Sequence, residues 1–157
     1  MPRVPLSSIE GNVYERLMGH RPEILKAWFN LDATMRFSGE LDPDLKEEVR
    51  RSLAPGVGCV FCASLGAEAD SHPDQKEALA VGFAQLALED WRAIDDSAFD
   101  RLKEDFTTEE IVELVAWISF MIAAQMFGAI LHTTPATEDE LAAYRAWRKE
   151  GVAALAS

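Results

Sequence analysis

The chain has 157 residues, 48% hydrophobic and 27% charged, which suits a single domain over residues 1–157 with a buried core and excludes a disordered chain. Fifteen lysines and arginines stand against 27 aspartates and glutamates, and the net charge of −12 argues against nucleic acid and anionic membrane surfaces as partners. Two cysteines are too few for a disulfide scaffold, and Met1-Pro2-Arg3-Val4-Pro5 lacks the apolar run of a secretory signal, so a reducing, cytoplasmic setting is expected.

Apolar residues recur at three-and-four spacing and no run alternates with period two, so the predicted fold class is all-α, a bundle of six to eight helices. A weak helical segment over residues 12–18 stops at Gly19-His20-Arg21. Pro22, well placed as a first helical residue, opens a helix over Pro22–Phe37 with Leu25, Trp28, Phe29, Leu31 and Met35 as its buried stripe. Ser38-Gly39 breaks the chain, and Asp42-Pro43 offers a cap and a first-turn proline. A short charged helix follows over residues 45–53, ending at Ala54-Pro55-Gly56-Val57-Gly58. The next helix covers residues 59–67, Asp70-Ser71-His72-Pro73 interrupts, and a longer one covers residues 74–93. Ser97 with Asp100, Thr107 with Glu110 and Thr137 with Glu140 have capping-box spacing and mark three further helix starts.

Residues 111–131 are long and apolar enough to span a bilayer, with only Glu113, Ser119 and Gln125 polar. No lysine or arginine flanks the stretch as a topology signal, so a soluble helix is expected, either central in the bundle or covered by another subunit. Trp117, Phe120, Met121, Met126 and Phe127 are the side chains expected at such a contact.

The chemistry concentrates at Cys59-Val60-Phe61-Cys62. Two cysteines three apart at a helix start bring their sulfurs within bridging reach, and the free N–H groups of the first turn favour thiolate over thiol, as in pairs that cycle between dithiol and disulfide. Two buried structural cysteines are the alternative. Zinc would need two further ligands, and only His72 is a possible third; a thioredoxin-like site would need a preceding strand, and none is legible.

Leu41-Asp42-Pro43-Asp44-Leu45-Lys46-Glu47-Glu48-Val49, followed after a spacer by Gly58-Cys59-Val60-Phe61-Cys62, resembles the alkylhydroperoxidase D-like (AhpD-like) branch of the carboxymuconolactone decarboxylase family. That family places a glutamate twelve residues before the first cysteine, which is Glu47 here. Phe106-Thr107-Thr108-Glu109-Glu110-Ile111-Val112-Glu113-Leu114 is similar to a helix start of the family, and the likeness spans residues 22–131. The resemblance implies an AhpD-like helical bundle that assembles as a homo-oligomer, trimer or hexamer. It also implies a peroxidase without cofactor or metal, in which Cys62 attacks peroxide, Cys59 resolves the product to a disulfide, and a dithiol reductant protein or small thiol restores the pair. Glu47 would be the carboxylate of a proton relay, with Glu48 a solvated neighbour.

One position departs from the family. Its relay histidine, four residues after the second cysteine, falls on Gly66. His72 would serve only if its loop folded back over the site; His20 and His132 are expected to be structural. Without the imidazole, peroxidase turnover is expected to be slow or specialised, and a small-molecule lyase or binding protein is the alternative on the same fold. Decarboxylase members of the family typically lack the cysteine pair, which favours the redox reading.

Overall fold

Helix starts fall where a side chain satisfies the free N–H groups of a first turn. Asn12 caps α1 (Val13–Met18) in a reciprocal box with Glu15, and Pro22 opens α2 (Pro22–Phe37). Asp42 caps α3 (Pro43–Val57), Cys59 caps α4 (Val60–Ser64), and Asp74 caps α5 (Gln75–Asp90), after which Trp91–Ala93 makes a 3₁₀ turn. Asp95 caps α6 (Asp96–Leu102), and Thr107 caps α7 (Thr108–Leu131) in a box with Glu110. Thr137 and Glu140 exchange the same two bonds ahead of α8 (Glu138–Leu155). The computed structural model describes residues 1–155, and all regular elements among them are helical.

Four boundaries differ from the sequence expectation. Helix α3 runs through Pro55 and stops only at Gly58, whose φ of 81° lets its N–H reach the carbonyls of Ala54 and Pro55. Helix α4 is shorter than expected at both ends: Cys59 caps it rather than belonging to it, and it stops at Ser64, three residues early. The long helix gives way to a 3₁₀ turn at Trp91, three residues early. Asp95, not Ser97, starts α6, since its carboxylate accepts from the backbone N–H of both Ser97 and Ala98 at 3.0 and 3.3 Å.

The main core lies between α3, α5 and α7. Leu45, Val49 and Leu53 of α3 meet Ala80, Val81, Phe83 and Ala84 of α5 and Ile111, Leu114, Trp117, Ile118 and Met121 of α7. Trp117 is fully buried and donates its indole N–H to the Lys46 carbonyl at 2.8 Å. A smaller cluster gathers Val13, Tyr14, Leu17 and Met18 of α1 with Ala54, Cys59, Phe61 and Cys62, and Trp28, Phe29 and Phe127 pack against it.

Helix α7 serves both clusters with one face and leaves the other bare: Val112, Ala116, Ser119, Ala123, Met126 and Ile130 are exposed. These positions alternate by four and three residues and carry no charge. Of the five side chains expected at a subunit contact, Trp117 and Met121 are instead in the core, and Phe120 and Phe127 pack on Trp28 at 5.6 and 6.1 Å between ring centroids. Only Met126 faces out. The core needs the inward positions of the helix, so the bare stripe falls one step round.

Candidate active site

The left-handed turn at Gly58 sends the chain straight from α3 into α4 and puts Cys59 under the end of α3, its N–H bonded to the Ala54 carbonyl at 3.3 Å. Cys59 Sγ then accepts the Cys62 N–H at 3.2 Å. The pair forms a disulfide with its Cα atoms 5.2 Å apart, inside the range that a bridge spans without backbone movement.

The two sulfurs differ in access. Cys59 is fully buried, whereas Cys62 lies on the wall of a cleft of about 620 Å³ bounded by Trp28, Phe29, Phe61, Tyr144 and Trp147. Gln125 also lines the cleft; its amide N–H donates to the Arg50 carbonyl at 2.9 Å, and its buried Oε1 has no partner among the described residues.

Tyr14 was not singled out by the sequence, yet its hydroxyl stands 3.2 Å from Cys62 Sγ and 3.4 Å from Cys59 Sγ, and donates to the Ala124 carbonyl at 2.8 Å. Phe61 and Phe127 hold its ring, each at 5.4 Å between centroids. Gly128 makes the approach possible, because a Cβ there would collide with the Tyr14 hydroxyl and lie 2.6 Å from Cys59 Sγ. Burial pushes the phenol's pKa up, so it keeps its proton.

Glu47 is buried on the same side of α3 but bonds neither sulfur. Arg50 donates to it twice at 2.9 Å, Arg36 at 3.1 Å, Arg51 at 3.2 Å and the Tyr144 hydroxyl at 2.7 Å. Burial alone would raise its pKa, but Arg50, Arg36 and Tyr144 outweigh it and hold the carboxyl at about 2. Its link to the cysteines runs through Arg50, whose guanidinium also donates to the Cys62 carbonyl at 2.7 Å.

Other sequence expectations are corrected. Glu48 is buried rather than solvated: it pairs with Arg51 and accepts the Ala69 N–H at 3.1 Å, because the loop after α4 folds over it. His72 does not reach the sulfurs, since Glu77 and Glu68 take its two ring nitrogens at 2.8 and 3.2 Å. Gly66 adopts φ of 153°, and a Cβ there would stand 3.0 Å from the Arg51 guanidinium, so this backbone disfavours the family's histidine. Arg50 was legible in principle as the partner of Glu47 one turn on. Tyr14 and Tyr144 come from distant helices and left no local signal.

No protein-family model matches the sequence, and no curated protein matches it. Among solved structures the chain is similar to an uncharacterized peroxidase-related protein from Silicibacter sp. TM1040, with a TM-score of 0.68 at 13% identity over 81% of this chain and 78% of that one. It is also similar to an uncharacterized peroxidase-related protein from Ralstonia eutropha JMP134, described as an alkylhydroperoxidase AhpD core, with a TM-score of 0.67 at 20% identity over 80% and 77% of the two chains. The likeness is one of architecture: this chain has the all-α, AhpD-like fold.

Proposed function

We propose that the protein is a cysteine-based peroxidase, or more broadly a thiol–disulfide oxidoreductase, acting on an organic hydroperoxide. The observation that carries this is the unequal placement of the two sulfurs: Cys62 on the wall of a mostly apolar cleft, Cys59 buried behind it within bonding reach. The Cys62 thiolate attacks the terminal oxygen of the hydroperoxide, the O–O bond breaks, and the alkoxide leaves as an alcohol after taking a proton. Cys59 then attacks the sulfenic sulfur, forming the disulfide and releasing water, so the dithiol supplies both electrons. A dithiol reductant protein or small thiol restores the pair, which suits a reducing, cytoplasmic setting. Glu47, ionised down to about 2, acts as a positioning residue that holds Arg50 against the Cys62 carbonyl.

The uncharged stripe on α7 supports a homo-oligomer, with a second copy covering it. Light scattering tests this, and a particle of 17.4 kDa rejects it. The glycine at position 66 favours the alternative, a lyase or binding protein using the same cleft. One experiment separates the two. Free thiols are counted before and after one equivalent of cumene hydroperoxide, and Cys62→Ser is assayed for hydroperoxide consumption with dithiothreitol. Loss of both thiols in the native chain and no consumption by the variant are expected. Survival of both thiols rejects the redox reading.

A further inference from the structure

In the proposed cycle Cys62 must ionise inside a buried and largely apolar corner, where burial alone favours the neutral thiol. The charged groups around the cleft do not reach its sulfur. Arg50 of α3 spends its guanidinium on Glu47 and the Cys62 carbonyl. Arg36 of α2 is held by Asp32 and Glu47, while Glu15, Asp139 and Glu140 line the cleft with their negative charge. The side-chain polar atom closest to Cys62 Sγ in hydrogen-bonding geometry is the Tyr14 hydroxyl at 3.2 Å.

We propose that Tyr14 is a catalytic hydrogen-bond donor to the Cys62 thiolate, supplying from α1 the stabilisation that Gly66 cannot. The inference rests on the redox reading above. In the disulfide form, the single hydroxyl proton goes to the Ala124 carbonyl at 2.8 Å. On reduction the ionised sulfur, a stronger acceptor, takes that proton's hydrogen bond through rotation about the Cζ–O bond, with the ring unmoved. Tyr14 keeps its proton throughout, and the proton lost by Cys62 leaves through the cleft to solvent. Burial of the phenol agrees with this role, since it holds Tyr14 neutral and therefore a donor rather than a base. The same hydroxyl, 3.4 Å from Cys59 Sγ, is placed to stabilise whichever sulfur leaves when a reductant opens the disulfide.

The test reads the thiolate directly. In a Cys59→Ser background, the rate of iodoacetamide alkylation of reduced Cys62 is followed against pH, with and without Tyr14→Phe. Loss of a charge-assisted hydrogen bond is expected to raise the apparent pKa of Cys62 by about one unit, with alkylation about tenfold slower at pH values below both pKa values. Circular dichroism checks the fold. Should Tyr14→Phe fail to fold, Gly128→Ala, whose added methyl crowds the hydroxyl, is expected to shift the pKa in the same direction. An unchanged Cys62 pKa in a folded variant overturns the proposal, whatever the native chain does with hydroperoxide. A raised pKa in a chain that consumes no hydroperoxide upholds the Tyr14 contact and removes the peroxidase reading instead.

Discussion

Between α3, α5 and α7 lies an apolar cluster built largely on helices of 15, 16 and 24 residues, while the cluster around Cys59 and Cys62 includes a phenol and the two cysteine sulfurs and rests largely on helices of five and six. Helices as short as α1 and α4 have no stability of their own in water. They are held by tertiary contacts: the Val13 N–H donates to Glu140 at 3.2 Å, the Leu17 and Met18 side chains pack into the smaller cluster, and the Ser64 hydroxyl accepts the Ala136 N–H at 2.8 Å. Stability and the proposed chemistry are therefore drawn from different parts of the molecule. The main core sets the unfolding free energy, and the cysteine corner sets the thiolate.

Trp117→Ala should break the first region and spare the second. The side chain is fully buried and its indole N–H is bonded, so truncation is expected to cost about 3–5 kcal/mol, read as a lowered denaturant midpoint. In the fraction that stays folded, the Cys62 alkylation pKa should not move. A shift of that pKa together with the midpoint would show that the two regions are one unit.

Glu47 joins the regions, and its replacement is the sharper test. Its folded pKa of about 2 lies below the ordinary glutamate value of 4.5, so its contribution is fully present above pH 4.5 and is lost as pH falls through about 2. A displacement of that size is worth about 3 kcal/mol. Glu47→Gln is expected to lose about that much at neutral pH and to flatten the acid limb of stability between those two values. With its anchor weakened, Arg50 should also hold the Cys62 carbonyl less firmly, and the proposed hydroperoxide turnover should fall while substrate affinity stays.

Much of the fold was readable locally. The caps at Asp42, Thr107 and Thr137 and the proline at position 22 are short-range signals, and the helices they start are where the spacing put them. Local rules failed where a competing neighbour won: Asp95 displaced Ser97 because its carboxylate reaches two N–H groups, and α3 ran on past Pro55 to the left-handed Gly58 that ends it. Of the candidate site, the cysteine pair was legible from spacing. The environment of Glu47 was not, since Arg36 and Tyr144 arrive from 11 and 97 residues away. Tyr14 lies 48 residues before Cys62, on a helix that the sequence marks only as a weak segment.

The smallest expected effect concerns His72, which lies in the loop between the two regions. Glu77 raises its pKa above the usual 6.5, partly offset by burial, and Glu68 adds to the rise. A raised folded pKa gives stability that is fully present below 6.5 and disappears as pH climbs through the folded value. The partners are partly exposed and solvent screens them, so His72→Ala should lose only about 0.5 kcal/mol, at about pH 6 and below, and nothing on the alkaline side. Its ring nitrogens are spent on carboxylates and not on sulfur, so hydroperoxide turnover and the Cys62 pKa should match the native chain. A fall in turnover out of proportion to that stability loss would mean that the loop opens during the cycle and brings the imidazole to Cys62, and the cysteine corner would then extend beyond the short helices that enclose it.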